Sequence, residues 1–411
     1  MRISSNQMYL RGLNNILDLQ QRVMKLQDQQ SSGLKVLSPS DDPVASAQIE
    51  LMKNRIGSTE LLQKNRQAVD SALSLEEGVL TDTIHSLNRL REIQIQAGNG
   101  ALSEEDRKTL AVEATSILNQ LQDYANTKDA NGNYMFSGGQ STVQPISVNS
   151  SGQYIYHGDS TQRFQSVTHS LKVATNDTGD NVFMRIPNGN GFFTVNKTAT
   201  PNAGTVVVST GSVVNAAAYV PDNYTMSFAL NTLGQTVVMV NGTASGDVIP
   251  PSGLPDDAPL YKDGEVINFN GIELTVSGTP VAGDSFAIDP AKNESLFSTV
   301  QRMISNLNQP YKTAVEKAST ETENNQLLSQ LDKSFNHIAN IQADLGARLN
   351  QLASADNANQ NLLDTSNASL KLLREIDPYQ VASELTLQIY NLQIAQKSYV
   401  QIQGMSLFNY I

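Results

Sequence analysis

The sequence of 411 residues predicts an α+β fold: a long α-helical hairpin or coiled-coil bundle built from both termini, with an antiparallel β domain inserted into it. Three observations predict it. Residues 131–290 hold 18 of the 26 Gly, 10 of the 14 Pro and 14 of the 24 Tyr and Phe, so turn formers and aromatics concentrate in the middle. Both flanks repeat apolar residues in heptad steps over stretches far longer than an average helix. The chain has no cysteine, which leaves packing, length and assembly as the sources of stability.

The first helix carries two adjacent apolar stripes. Ile16, Leu19, Val23 and Leu26 step by three and four, and Leu10, Leu13, Leu17 and Met24 run beside them. Next comes "LSPSDDPVAS", Leu37 to Ser46, with two prolines and two adjacent aspartates. Pro39 holds Ser38 extended, so the first helix must end before it. Asp42 as N-cap with Pro43 at the first helical position is a ready helix start. The competing reading, Asp41 and Asp42 as a catalytic carboxylate dyad, needs two neighbouring side chains that diverge on most backbones to converge. The boundary turn is preferred.

A second helix of about fifty residues follows, with Ile49, Met52 and Ile56 and then Val69, Leu73, Leu80, Leu87, Leu90 and Ala97 in register. Ser103-x-x-Asp106 resembles a capping box and opens a third helix through Leu110, Ala114, Ile117 and Leu121. In the C-terminal flank Phe297, Val300, Ile304 and Leu307 lead into a long seam of Leu328, Leu331, Phe335, Ile338, Leu345, Leu349 and Leu352. Asp377 and Pro378 stop that helix and start the last one by the same logic as Asp42 and Pro43. In the last helix Val381, Leu385, Leu392, Ala395, Tyr399 and Ile402 take the a and d positions, while Leu387, Ile389, Tyr390 and Ile394 widen the apolar face. From Leu385 to Ile411 the only charged residue is Lys397. An uncharged, amide-rich face can pack against copies of itself without burying ions.

The middle alternates β-branched runs such as "GTVVVST" and "GIELTVSG" with turn signals such as "NGNG" and "NFNG". It carries 12 acidic and 5 basic residues, much of the chain's net charge of −12. That balance argues against nucleic-acid binding, which needs a concentrated basic surface. No window approaches the roughly eighteen uninterrupted apolar residues of a membrane span, and the first residues lack the apolar core of a secretory signal.

Candidates for chemistry are few. His157 and Asp159 are two possible ligands in a hairpin turn, where an aspartate more often binds nearby backbone amides. Asp129, Asn131 and Asn133 open like a calcium loop, but Tyr134 stands where the loop needs Gly and Gln140 where it needs Glu. No phosphate-binding or nucleophile-elbow motif occurs. The expectation is a chain that is not an enzyme and takes no cofactor or metal.

The head "MRISSNQMYLRGLNN", the turn "SPSDDP", "ANTKDANGNYMFSGGQ", "YIYHGD" and the tail "LTLQIYNLQIAQKSYVQIQGMSLFNYI" resemble bacterial flagellar axial proteins of the flagellin type. Among these the hook-associated members, which join hook to filament, are the most similar. Residues about 190–260 lie outside the resemblance. It implies a flagellin-like fold in three parts: an inner helical domain of 1–40 plus 376–411, a long-helix bundle of 41–135 plus 291–375, and an outer β domain of 136–290, single or with 190–260 separate.

The same resemblance implies a structural role in the flagellum, extracellular after type III export without a cleaved signal. The implied partners are hook-associated protein 1, flagellin, copies of the chain in a ring, and an export chaperone on the C-terminal helix, with neither nucleic acid nor membrane insertion. The expected assembly interface comprises Leu10, Leu13, Ile16, Leu17, Leu19, Val23 and Leu26 with Leu385, Ile389, Leu392, Ala395, Tyr399, Ile402, Leu407 and Phe408. Pro39, Asp41, Asp42, Pro43, Asp377 and Pro378 form the boundary turns. The rivals are a flagellin that builds the filament itself and a secreted adhesin on a coiled-coil stalk.

Overall fold

A computed structural model of the chain describes residues 5–100, 102–198, 201–309 and 312–407, with side chains from Gln7 to Gln401. Six long helices appear among them: α1 (Ser5–Ser32), α2 (Pro43–Ala97), α3 (Glu104–Ala125), α4 (Leu296–Asn308), α5 (Ala314–Arg374) and α6 (Pro378–Leu407). The insertion between α3 and α4 is antiparallel β structure, so the α+β class and the flagellin-like helical frame are as the sequence predicts. No helix among the described residues is long and apolar enough to cross a membrane.

The chain divides into two compact units. One comprises residues 1–66, 166–171 and 353–411, and the other 67–165 and 172–352.

In the second unit the predicted α2 positions Val69, Leu73, Leu80, Leu87, Leu90 and Ala97 are all buried. Leu80, Leu87, Leu90 and Ala97 among them share one core with Ala114, Ile117 and Leu121 of α3 and Leu296, Phe297, Val300 and Leu307 of α4. Ser103 and Asp106 form a reciprocal capping box, so α3 starts where its sequence signature stands. Buried Arg107 of α3 donates to the carbonyls of Asn306 at 2.7 Å and Gln309 at 2.6 Å, placing a cation on the last orphan acceptors of α4. Aromatic rings extend this core towards the insertion. Tyr154 stacks on Phe297 at 4.7 Å, and Phe183 sits 5.2 Å from Phe136 and 5.9 Å from Phe297.

The buried positions of α5 differ from the predicted seam. Leu327, Leu331, Ser334, Ile338, Ile341, Leu345 and Leu352 are buried, while Leu328, Phe335 and Leu349 are only half-buried. A two-helix seam would bury one heptad row, but α5 has neighbours on more than one side. The insertion loop also reaches it, where Ser329 Oγ donates to Gly189 O and His337 Nε2 lies 2.7 Å from Asn181 O.

The insertion's strands are short except in two sheets. In chain order these hold β1 (Phe193–Lys197), β2 (Val207–Val208), β3 (Ser212–Val213), β4 (Tyr224–Leu230), β5 (Thr236–Gly242), β6 (Gly246–Ile249), β7 (Glu265–Phe269), β8 (Ile272–Ser277) and β9 (Ser285–Pro290). One sheet runs β6-β5-β4-β9-β1, and the other runs β7-β8-β2 with β3 also on β8. Alternate residues of both sheets, including Tyr224, Met226 and Phe228 against Leu274, Val276 and Phe269, share one apolar cluster, which is sandwich packing. Residues of 190–260 and of 265–290 both contribute to it.

Candidate functional site: the paired terminal helices and their boundary turns

All the sequence-predicted site residues fall in the first unit, where α1 packs along α6. Leu13, Ile16, Leu19, Val23 and Leu26 of α1 line one side of the seam, and Leu385, Ile389, Leu392, Ala395 and Tyr399 line the other. Among these Val23 alone is buried, and the rest are half-buried. Close approach is built in at Gly12. A Cβ there would stand 3.0 Å from the Tyr399 ring, whose centroid lies 5.4 Å from that of Tyr9. Phe408 lies outside the described residues, and so do the side chains of Ile402 and Leu407.

Leu10 and Leu17 point away from the seam, and with Met24 they form a row at heptad spacing on the outer face of α1. On α6 the outer apolar residues are Leu387, Tyr390 and Ile394. These six side chains are each between 45 % and 60 % exposed. Met24, Leu387, Tyr390 and Ile394 show in the sequence as surplus to one seam. Periodicity cannot say which of two adjacent stripes faces the partner helix, so the exposed set becomes legible only in three dimensions.

The boundary turns tie both helix ends together. α1 ends at Gly33, whose φ of +72° reverses the chain at no steric cost. Lys35 N–H then donates to Arg374 O at 2.7 Å and Ile376 N–H to Gly33 O at 3.2 Å, so segments 33–35 and 374–376 pair as a short antiparallel bridge. Asp42 Oδ1 accepts from the amides of Val44 at 3.1 Å and Ala45 at 2.9 Å, which caps α2 behind Pro43. Asp377 does the same for α6, accepting from Tyr379 at 2.9 Å and Gln380 at 3.3 Å ahead of Pro378. Replacing Asp42 by Ala is expected to cost about 1 kcal/mol, read as faster amide exchange in the first turn of α2.

Asp41 has a different task from its neighbour. It pairs with Lys25 of α1 at 2.8 Å and accepts from Ser38 N–H at 3.0 Å, folding the Pro39 turn back on the first helix. Lys25 first and the Ser38 amide second hold its carboxyl down at about 2. A depressed carboxylate adds stability that is present above the unfolded value near 4 and is lost as pH falls towards about 2. The Ser38 amide should therefore lose protection across that acid window. Lys25→Met should move the loss to higher pH, and an unchanged midpoint would contradict the pairing.

A clip from the insertion completes this unit. Val167 is fully buried, its carbonyl accepts from Asn359 Nδ2 at 2.8 Å, and Asn65 Nδ2 reaches Ser166 O at 3.4 Å.

In the other unit, the aspartates of the two chemical candidates are engaged with backbone amides. Asp159 accepts from the amides of Gly139 at 2.8 Å and Thr161 at 2.9 Å, and Asp129 accepts from Asn131 at 2.8 Å and Asn133 at 2.9 Å. His157 meets Ser147 Oγ at 2.7 Å. The Asp129 bonds and the Asp159–Thr161 bond close local turns, whereas the Gly139 and Ser147 contacts join segments twenty and ten residues apart.

Known proteins resemble this chain. The family description "bacterial flagellin N-terminal helical region" matches residues 3–141. Flagellar hook-associated protein 3 of Salmonella typhimurium is 24 % identical over 408 residues, 99 % of each chain. Two crystal structures from Legionella pneumophila are each 69 % identical to this chain. One, of flagellar hook associated protein-3, has a TM-score of 0.78 and covers 79 % of this chain and 98 % of its own. The other, of the flagellar junction protein FlgL, has a TM-score of 0.74 and covers 80 % and 99 %. Likeness to flagellin is confined to the N-terminal third in that family match, whereas likeness to the hook-associated protein runs the whole length. The chain belongs to the flagellar hook-associated protein 3 family.

Proposed function

We propose that the chain is the structural adaptor between flagellar hook and filament, a ring of copies with hook-associated protein 1 on the hook side and flagellin on the filament side. One observation carries the assembly mechanism. α1 and α6 satisfy each other along one seam and still present a second, heptad-spaced apolar row on their outer faces. Apolar rows of that extent rarely face water in a monomer, and neighbouring helices of the same kind would cover them. Head-to-tail contacts between copies and unlike neighbours are heterologous, which suits a part with two different faces.

In this reading the inner helical domain is 1–40 with 376–411, the bundle is 41–135 with 291–375, and the β insertion of 136–290 faces outward. The chain leaves the cell by type III export without a cleaved signal, with a chaperone covering the C-terminal helix. It catalyses nothing, and the likeness to structural flagellar proteins supports that. The test is immunogold labelling or cryo-microscopy of whole flagella. Label confined to the hook–filament boundary is expected, and label along the filament would overturn the adaptor reading in favour of a filament subunit.

A further inference from the structure

The helical core of the second unit contains a cluster of buried ionisable side chains. Glu76 of α2 is 1 % exposed and Asp177, in the loop before the helical turn Asp180–Met184, is 4 % exposed. The Asp177 amide donates to Glu76 Oε1 at 3.1 Å. Arg348 of α5 pairs with Asp177 Oδ2, and Gln162 donates to Asp177 Oδ1 at 2.8 Å. One guanidinium therefore faces two buried carboxyl groups, and its ion pair is with Asp177.

We propose that Glu76 and Asp177 form a proton-dependent clasp, in which neutral Glu76 holds residues 176–179 across α2 and α5. Two adjacent carboxylates in a dry site repel, and a proton on one of them turns repulsion into a hydrogen bond. Arg348 and Gln162 both bond Asp177 rather than Glu76, so the proton belongs on Glu76. Burial first and the Asp177 charge second push its carboxyl up to about 8, against the opposing pull of Arg348 and the Asp177 amide. Asp177 from the loop and Arg348 from α5 are the charged groups that bear on Glu76. Asp180, further along the loop, is paired with Arg185 at 2.7 Å.

The position gives the clasp leverage. Gly179 N–H donates to Phe136 O at 2.7 Å, and the next turn buries Val182 and Phe183 in the aromatic core. Opening 176–179 would loosen the entry to that core.

A raised carboxyl binds a proton in the closed state that the open state has lost. Stability of the clasp is therefore complete below the ordinary value of 4.5, declines as pH rises, and levels off above about 8. Between pH 5.5 and 7.5 the opening constant should grow about a hundredfold, tenfold for each pH unit. Amide exchange on the full chain reads it, after correction for intrinsic base catalysis.

Protection at Asp177 and Gly179 is expected to fall over that range in the wild type. It should be independent of pH in Glu76→Gln, whose amide donates to Asp177 as the protonated acid does. An equal fall in Glu76→Gln, or an equal fall at the Phe228 amide in the β sandwich, would overturn the clasp. Carboxyl-carbon NMR of the wild type decides independently of any variant. A glutamate titrating near 8 is expected, and all glutamates titrating in the ordinary carboxylate range would end the proposal.

Discussion

Leu17→Glu combined with Tyr390→Glu is expected to leave the monomer folded and to remove it from assembled flagella. Both side chains stand on the outer faces of α1 and α6, 48 % and 60 % exposed, and neither faces the seam between the helices. Surface substitutions of this kind change stability by no more than about 0.5 kcal/mol. In an assembled wall the same positions would be buried, and each large apolar side chain there contributes about 1.5–3 kcal/mol, roughly tenfold or more in affinity. A carboxylate forced into that contact adds a desolvation cost. Thermal melting of the purified monomer and microscopy of flagella from cells carrying the variant check the two halves. Normal incorporation would mean that the exposed row is not an assembly surface. A lowered melting temperature would mean that it belongs to the monomer's own core.

Phe297→Ala is the complementary case, an expected large loss of monomer stability. Phe297 is fully buried at the start of α4, stacked on Tyr154 and tilted against Phe183. Removing a buried ring costs the transfer energy of its carbons and that of the cavity left behind, about 3–5 kcal/mol. Against a whole-protein stability of about 5–15 kcal/mol this is a major fraction. Denaturant unfolding followed by circular dichroism of the helices measures it. Phe297 also joins the helical bundle through Tyr154 to the antiparallel strand pair Ile146–Val148 and Tyr154–Tyr156, so near-ultraviolet signals from the aromatic core should be lost with it. A change below about 1 kcal/mol would mean that the neighbouring rings collapse into the space.

The two cases separate what the residues say from what packing decides. The helical flanks, their boundaries and the β character of the middle are local properties. Asp42 before Pro43 and Asp377 before Pro378 cap whichever helix follows, because a carboxylate one residue ahead of the first turn meets its orphan amides in any context. Ser103 and Asp106 announce α3 for the same reason. The heptad row from Val69 to Ala97 is legible because a coiled-coil seam repeats along one element.

Other features depend on pairs distant in sequence. Which stripe of α1 faces α6 depends on where Tyr399 can lie against Gly12. The register of α5 depends on neighbours from the insertion as well as from other helices. Asp41 reads in sequence as a twin of Asp42, yet its partner Lys25 lies on the preceding helix. The Glu76, Asp177 and Arg348 cluster leaves no local signature, since each is an ordinary charged residue until folding buries the two carboxyl groups beside the guanidinium.

By itself the sequence determined the α+β class, the helix starts at Pro43, Glu104 and Pro378, the apolar surplus of both terminal helices, and the resemblance that named the family. Those follow from backbone geometry, capping chemistry and periodicity, which act within a few residues. The tertiary structure alone decided which apolar row remained on the surface and which carboxyl groups were buried together. Both are set by burial, and burial is a property of the packed chain rather than of any segment.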